Sequence, residues 1–567
     1  MLRRVPRGQR FVALFAVLAV VLPMQALLAP SAGGAEQGFV PISGSGSTWS
    51  QNALDQWRRN VNNLYGITVN FAGTGSTAGR NDFKFGQVDF AVSEIPYGLS
   101  DGGVREAPPD RAFGYMPIVA GGTAFMYNLK LGNRRVTNLR LSGETIAKIF
   151  TQQITSWDDP AIKADNPNLA LPGRKIVPVV RSDGSGTTAQ FTTWLAGQHG
   201  GLWDDYCRRA GRNVTPCGFT SFFPTTGSAK GQSGSNGVAS FVASDSSEGA
   251  ITYVEYSYAR NAAFPVVKVL NKANYYIEPK ATSVAVALLK AKINTDLTQD
   301  LSQVYNDPDP RAYPLSSYSY MIIPKATGGS FTNEKGRTLS EFAYYFLCEG
   351  QQQADALGYS PLPINLVQAG IDQVNQIPGA TKELSANDLR RCNNPTFSPD
   401  GTNTLAKNAP QPDPCDLKGA PTQCATGTGG AQQQTPTTGG GGGGGAGNAG
   451  GGGGGGSGAG NAGGGSGGSD TSGGGDTAAG DGDTAGTDQG GGLTTEIDPD
   501  TGLPVDGEAL SSGSQSSSVS AVPVSVDVAS NRQRTVLALL AAVLLLGLVI
   551  GPPLVAHRMR SREGPQT

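Results

Sequence analysis

Three short loops of glycine, serine and threonine recur along the first half of the chain: Gly44-Ser45-Gly46-Ser47-Thr48, Gly73-Thr74-Gly75-Ser76-Thr77 and Asp183-Gly184-Ser185-Gly186-Thr187. The second and third each follow a β-branched run, Ile67 to Phe71 and Lys175 to Val180, and all three precede a segment that reads as helix. Such a junction aims unpaired backbone N–H groups, small hydroxyls and the positive end of a helix dipole at one point. One loop of this kind would mean little. Three of them, in a chain with only 2 histidines, point to a site for a small, multiply charged oxyanion.

Around these loops, residues 38–395 alternate short apolar strands with helical segments, the pattern of an α/β domain with parallel sheets. Gln51 to Leu64 places Leu54, Trp57, Val61 and Leu64 at helical spacing. Val88 to Val92, Ala124 to Tyr127, Ile251 to Val254 and Tyr320 to Ile323 read as strands, and Glu144 to Thr151 and Leu339 to Leu347 as helices. The segment exceeds the usual size of a single core, so two lobes are expected.

The ends are of a different kind. Arg3, Arg4, Arg7 and Arg10 precede an apolar run from Phe11 to Leu28 and small residues around Ala32 to Ala35, the layout of a cleaved signal peptide over 1–35. Val536 to Ala556 is uncharged and about as long as a membrane span requires. Arg558, Arg560 and Arg562 after it place the tail, 557–567, inside the cell and the bulk of the chain outside. Residues 425–531 are mostly Gly, Ser, Ala, Thr and Asp without hydrophobic periodicity, and read as a disordered acidic tether. A glycine-rich coil of that size spans roughly 50–60 Å end to end. The net charge of −2 is dominated by this tether; the exported domain alone is near neutral, which argues against bulk attraction to nucleic acid.

All six cysteines lie in the exported part, and the sequence-neighbour pairs Cys207–Cys217, Cys348–Cys392 and Cys415–Cys424 are the simplest disulfide set. The last pair belongs to an extension over 396–424. No metal site is expected: the cysteine spacings do not suit zinc, and His199 is the one histidine outside the tail. Nothing in the sequence calls for a cofactor.

The segments Gly44 to Trp49, Val88-Asp-Phe-Ala-Val-Ser-Glu-Ile-Pro96, Ile154-Thr-Ser-Trp-Asp158, Val180-Arg-Ser-Asp-Gly-Ser-Gly-Thr187 and Gly249 to Tyr256 occur in this order. On them the chain resembles the phosphate-binding proteins that feed phosphate ABC transporters, the PstS type, over nearly all of 38–380. The resemblance implies a bilobal type II periplasmic-binding-protein fold with a hinge. One lobe would combine about 38–118 with 313–395, the other would be about 119–312, and phosphate would lie between them. It also implies ABC permease subunits as partners. Carried onto matching positions, the phosphate contacts are Thr48, the backbone of Trp49, Ser76, Arg181, Ser185, Gly186 and Thr187, with Asp183 holding the arginine. Hydroxyls and N–H groups donate to anionic oxygens, and Arg181 supplies a charged planar fork.

One position departs from the family pattern. Glu94 stands where an aspartate is usual. An ionised carboxylate there only accepts, so it takes the proton that phosphate still carries and leaves fully ionised sulfate facing an unpaired acceptor. The extra methylene pushes its oxygens about an ångström outward, so either the cleft is shifted to suit, or affinity is reduced, or the ligand differs.

Two other function classes compete. A hydrolase would need a base for a serine nucleophile, and His199 is its one exported candidate. The single Gly-x-Ser-x-Gly match, Gly464 to Gly468, falls inside the tether, where no strand-to-helix elbow can form. The second is a cell-surface sensor or interaction protein that uses the same cleft without feeding a permease; the long anchored tether motivates it.

Overall fold

In the computed structural model, residues 38–381, 388, 389 and 391–431 are described. The predicted leader, nearly all of the tether, the apolar span at 536–556 and the tail lie outside the described residues. Among the described residues no helix is long and apolar enough to cross a membrane.

Eight strands form one sheet: β1 (Ile42–Gly46), β2 (Val69–Ala72), β3 (Phe90–Ser93), β4 (Phe113–Tyr127), β5 (Val177–Arg181), β6 (Lys230–Gln232), β7 (Ala250–Glu255) and β8 (Ser316–Pro324). Their spatial order is β6-β5-β7-β4-β8-β3-β1-β2. Each wing is parallel, β1 with β2 and β3, and β5 with β6 and β7. The centre is antiparallel. Residues 113–122 of β4 pair with β8, and residues 123–127 pair with β7, so this one strand belongs to both wings.

The sequence pattern reveals only the end of β4, from Ala124 on, because Gly114, Pro117, Gly121 and Gly122 interrupt its β-propensity. The two adjacent glycines are needed for close packing. A Cβ on Gly121 would lie 2.7 Å from Trp49 Cη2, and one on Gly122 2.5 Å from Pro279 Cβ.

The cores follow the wings. Around β1–β3 and β8, Trp57, Phe90, Met321, Phe342 and Val367 share one buried cluster. In the other wing successive residues point to opposite faces. Phe125, Tyr127, Val180 and Tyr253 pack with Phe150 and Phe191 on one side, and Ala124, Met126, Val179 and Val254 with Val238 and Val242 on the other. Val284 to Val304 join the first cluster, although the sequence division places them in the second lobe; the helix at Ala281–Ala287 packs on β4 and β8.

Four helices begin at loops of small residues: α1 (Gln51–Tyr65), α2 (Ser76–Lys84), α3 (Gly186–Arg209) and α4 (Gly234–Ala243). α1 buries Leu54, Trp57 and Val61, as their spacing predicts, whereas Leu64 at the same spacing is 61% exposed, and the helix closes on the left-handed Gly66 at φ 67°. The cysteines pair 207–217, 348–392 and 415–424.

The extension past residue 390 is part of the folded body. Ala406 and Ala409 lie in the first cluster, whereas Asp416 pairs with Arg140 and with Lys268 Nζ (2.7 Å) beside the second. Thr428 donates to Val266 O and accepts from Val266 N–H at 2.9 Å, and Gly429 N–H donates to Glu278 at 2.9 Å. The chain therefore stays packed to residue 431, past the predicted start of the tether at 425; the hydroxyl of Thr428 and the backbone N–H of Gly429, neither hydrophobic, secure it.

Candidate functional site

The three loops sit where strands end and helices begin. β1 runs into Ser47–Ser50 and α1, β2 into Gly73–Gly75 and α2, and β5 into Ser182–Ser185 and α3. Two glycines permit the loops to meet. Gly75 has φ 91°, and a Cβ there would lie 2.6 Å from Asp183 Oδ2. A Cβ on Gly186 would overlap Glu94 Oε2 and Ser76 Oγ. Thr77 N–H donates to Gly184 O at 3.0 Å, so the second and third loops are joined directly.

The residues expected to contact phosphate and Glu94 are all buried in this region, and Asp183 is half-buried beside them. Arg181, 2% exposed, donates from Nε to Asp183 Oδ1 at 2.7 Å, from Nη2 to Asp183 Oδ2, and from Nη1 to Ser235 Oγ at 3.2 Å. Burial pushes the Asp183 carboxyl up, but the hydrogen bonds and charge of Arg181, with Gly234 N–H, outweigh it and hold the group below 3.8. Thr48 Oγ1 accepts from Ser235 N–H at 3.0 Å and shares a hydrogen bond of 2.8 Å with Ser235 Oγ. Ser185 Oγ caps α3 by accepting from Thr188 N–H at 3.1 Å, which leaves its own hydrogen to donate. Thr187 Oγ1 is buried without a hydrogen bond. The Trp49 N–H donates to Ser47 Oγ at 3.0 Å, and its ring turns toward Tyr359, with centroids 5.8 Å apart.

Glu94, 1% exposed, lies between these groups. Its Oε2 accepts from Ser47 Oγ at 2.6 Å and Ser76 Oγ at 3.0 Å, and its Oε1 accepts from Ser319 Oγ at 2.8 Å. Ser76 Oγ accepts in turn from Gly186 N–H, the first residue of α3, at 3.0 Å. Burial pushes the Glu94 carboxyl above 4.5, and the hydroxyls of Ser47, Ser319 and Ser76, then the charge of Arg181, pull it back part of the way. Arg181 and Asp183 cancel, so an ionised Glu94 leaves the site with a net negative charge. Attraction for an anion must come from oriented N–H and O–H groups at short range.

Sequence reasoning missed Ser47, Ser235 and Ser319. Ser235 had a signal: Gly231-Gln232-Ser233-Gly234-Ser235 ends β6 and opens α4, a fourth loop of the same kind. Ser47 lies inside the first loop, beside Thr48. Ser319 had none, since it sits within β8 among Ser316, Ser317 and Tyr318. His199 is remote from the cluster. It lies at a kink in α3 (φ −138°), packed on the edge of Trp194, about 20 Å along the helix from Gly186 at 1.5 Å per residue.

A sheet of two parallel wings joined by shared antiparallel strands, with a buried polar cluster at their meeting point, defines a substrate-binding protein of the bilobal kind. The comparisons agree. Residues 29–349 match a PBP superfamily domain. The phosphate-binding protein PstS of Xylella fastidiosa is 32% identical over 330 residues, which cover 58% of this chain and 83% of that one. The phosphate-binding protein PstS of Methanocaldococcus jannaschii is 27% identical over 387 residues, 65% of this chain and 96% of that one. The phosphate-binding protein PstS2 of Mycobacterium bovis is 32% identical over 340 residues, 57% of this chain and 83% of that one. The chain belongs to the PstS-type substrate-binding proteins of the PBP superfamily.

Proposed function

We propose that this protein captures inorganic phosphate between its two wings and presents it to an ABC-type permease outside the membrane. One observation carries the reading. The two wings meet through polar groups beside one buried acceptor: Ser76 donates to Glu94 and accepts from Gly186 N–H at the N-terminus of α3, and Thr48 pairs with Ser235, which Arg181 also contacts. Donors satisfy the anionic oxygens of a tetrahedral ion, and the acceptor takes the proton that phosphate retains. Only β4 and β8 run through the centre of the sheet, so a small change in their twist opens and closes the wings on the ligand.

The geometry favours binding over hydrolysis because His199 is too far along α3 to activate any serine of the cluster. The membrane span and leader that the sequence predicts would keep the protein on the outer face of the membrane, where delivery to a permease requires it.

Calorimetric titration with phosphate and then with sulfate tests the proposal. Saturable phosphate binding with sulfate at least ~100-fold weaker, the scale of one buried acceptor left facing an acceptor, is the expected result. Equal affinity for the two anions, or none for phosphate, would sink it.

A further inference from the structure

An ionised carboxylate offers about four lone-pair sites. In Glu94 three are taken by the hydroxyls of Ser47, Ser76 and Ser319. The direction of each hydrogen is fixed by what else the hydroxyl does. Ser47 Oγ accepts from Trp49 N–H and Ser76 Oγ accepts from Gly186 N–H, so each has its own hydrogen free for Glu94. Ser319 Oγ also lies 3.0 Å from Ser50 Oγ, and with the Ser319 hydrogen on Glu94, Ser50 is the donor of that pair. All three hydrogens point at the carboxylate, an arrangement that favours its ionised form. Protonation at the fourth lone pair would remove the charge that strengthens all three bonds.

Of the three, Ser76 lies on the ligand side by the phosphate reading, bonded across to α3. Ser47, on the loop after β1, shares Oε2 with Ser76, and Ser319, on β8, holds Oε1. Ser319 is placed at the register shift between β4 and β8, an irregularity that re-aims side chains in a sheet.

We propose that Ser47 and Ser319 are positioning residues that keep the Glu94 carboxylate ionised, with its fourth lone pair left for the ligand's proton, and so set the discrimination between protonated and fully ionised tetrahedral anions. The inference rests on the phosphate reading.

The charged and titratable groups near Glu94 are few. Arg181 at the end of β5 stabilises its charge, Asp183 after it cancels part of that effect, and Arg80 of α2 is spent on Glu106 and Ser93 Oγ (3.0 Å). Tyr320 of β8 is pushed well above 10 by burial and stays neutral. The three hydroxyls therefore hold most of the balance against burial.

Sulfate makes the test clean because it does not itself titrate in the working range. It should bind only once Glu94 is protonated and can donate. Titrations of the full chain with phosphate and with sulfate, from about pH 8 down to about pH 5, cover the region in which a buried carboxyl shifts. In the wild type, sulfate binding should appear only at the acid end. In Ser319→Ala it should appear at higher pH, and the phosphate-over-sulfate ratio near neutrality should fall about tenfold, the effect of one hydrogen bond to a charged group. Ser319→Thr, which keeps the hydroxyl, should restore the ratio. An unchanged ratio and sulfate profile in Ser319→Ala, or an equal loss for both anions, overturns this inference while leaving phosphate capture in place. A wild-type chain that binds neither anion overturns both.

Discussion

Arg181 is the cation whose charge acts on Glu94, and three of its five N–H groups are already committed. Two of its nitrogens serve Asp183 and a third serves Ser235. Its part in ligand binding is therefore to donate its two remaining N–H groups from a fork held at a fixed angle, and a lysine cannot replace it. Arg181→Ala should lower phosphate affinity at least ~100-fold, and should also destabilise the fold by about 1–3 kcal/mol by leaving Asp183 without its partner. The two effects are separable. Removing both charges in Arg181→Ala/Asp183→Ala should recover much of the stability and none of the affinity, read by thermal melting and calorimetry on the single and double variants. Recovered binding in the double variant would count against a ligand role for the arginine. The stabilisation of Asp183 carries a pH sign as well: with its folded-state value held below 3.8, its contribution is present above that value and fades as pH falls toward the folded-state value.

At the scale of elements, the decisive contact is between the start of α3 and the loops of the opposite wing. Gly186 is the first residue of α3, and it approaches Glu94 and Ser76 so closely that no side chain fits. Gly186→Ala should force the two apart, costing about 1–3 kcal/mol of stability, as overpacking does, and lowering phosphate affinity by a larger factor than it lowers stability. Melting and calorimetry on the same preparation check this; a variant that melts early yet binds as the wild type would mean the contact is structural alone. These junctions were legible in the sequence because their chemistry is local: a β-branched run, small residues, then helical spacing. The three loops could be read without knowing the fold, and the resemblance to the PstS type then singled out Thr48, Ser76 and the cluster from Arg181 to Thr187 within them. The fourth loop at Ser235 carried the same signature, but its strand is only Lys230–Gln232, too short to stand out. Ser319 was invisible because its role depends on β8 pairing with β3 next to Glu94, a long-range pairing that no local pattern encodes. β4 was half-hidden for a related reason: its glycines read as breaks, and only the Trp49 and Pro279 side chains packed on them explain why a strand continues there.

For the whole molecule, the place where the wings join holds a second buried carboxyl. Glu255 ends β7 and is 0% exposed. Its Oε2 accepts from Ser257 N–H at 2.8 Å, while its Oε1 makes no hydrogen bond and would lie 3.2 Å from a Cβ on Gly121. Around it the wings are stitched together by Tyr258 OH donating to Thr48 O and by Ser257 Oγ donating to Tyr359 OH at 3.1 Å, while Tyr359 OH donates to Trp49 O at 2.8 Å within the first wing. Burial pushes the Glu255 carboxyl well above 4.5, more strongly than the hydrogen bonds from Ser257 can offset. A group whose folded-state value is raised binds its proton more tightly in the native than in the unfolded chain. Stability should therefore increase as pH falls through the raised value, and the gain is complete below the ordinary value of 4.5. This window lies above the one in which Asp183 loses its contribution, so the two trends do not overlap. Glu255→Gln places a neutral group of the same shape at the junction. It should raise the melting temperature near pH 8 by about 1–3 °C, and should flatten the rise that the wild type shows on acidification to about pH 5. Thermal melts of both proteins across that range measure it. A Glu255→Gln variant that is less stable than the wild type at every pH would mean that the ionised carboxylate is compensated at the junction. The pH response of the fold would then arise at Glu94 instead, the other nearly fully buried carboxyl between the wings whose burial pushes it upward.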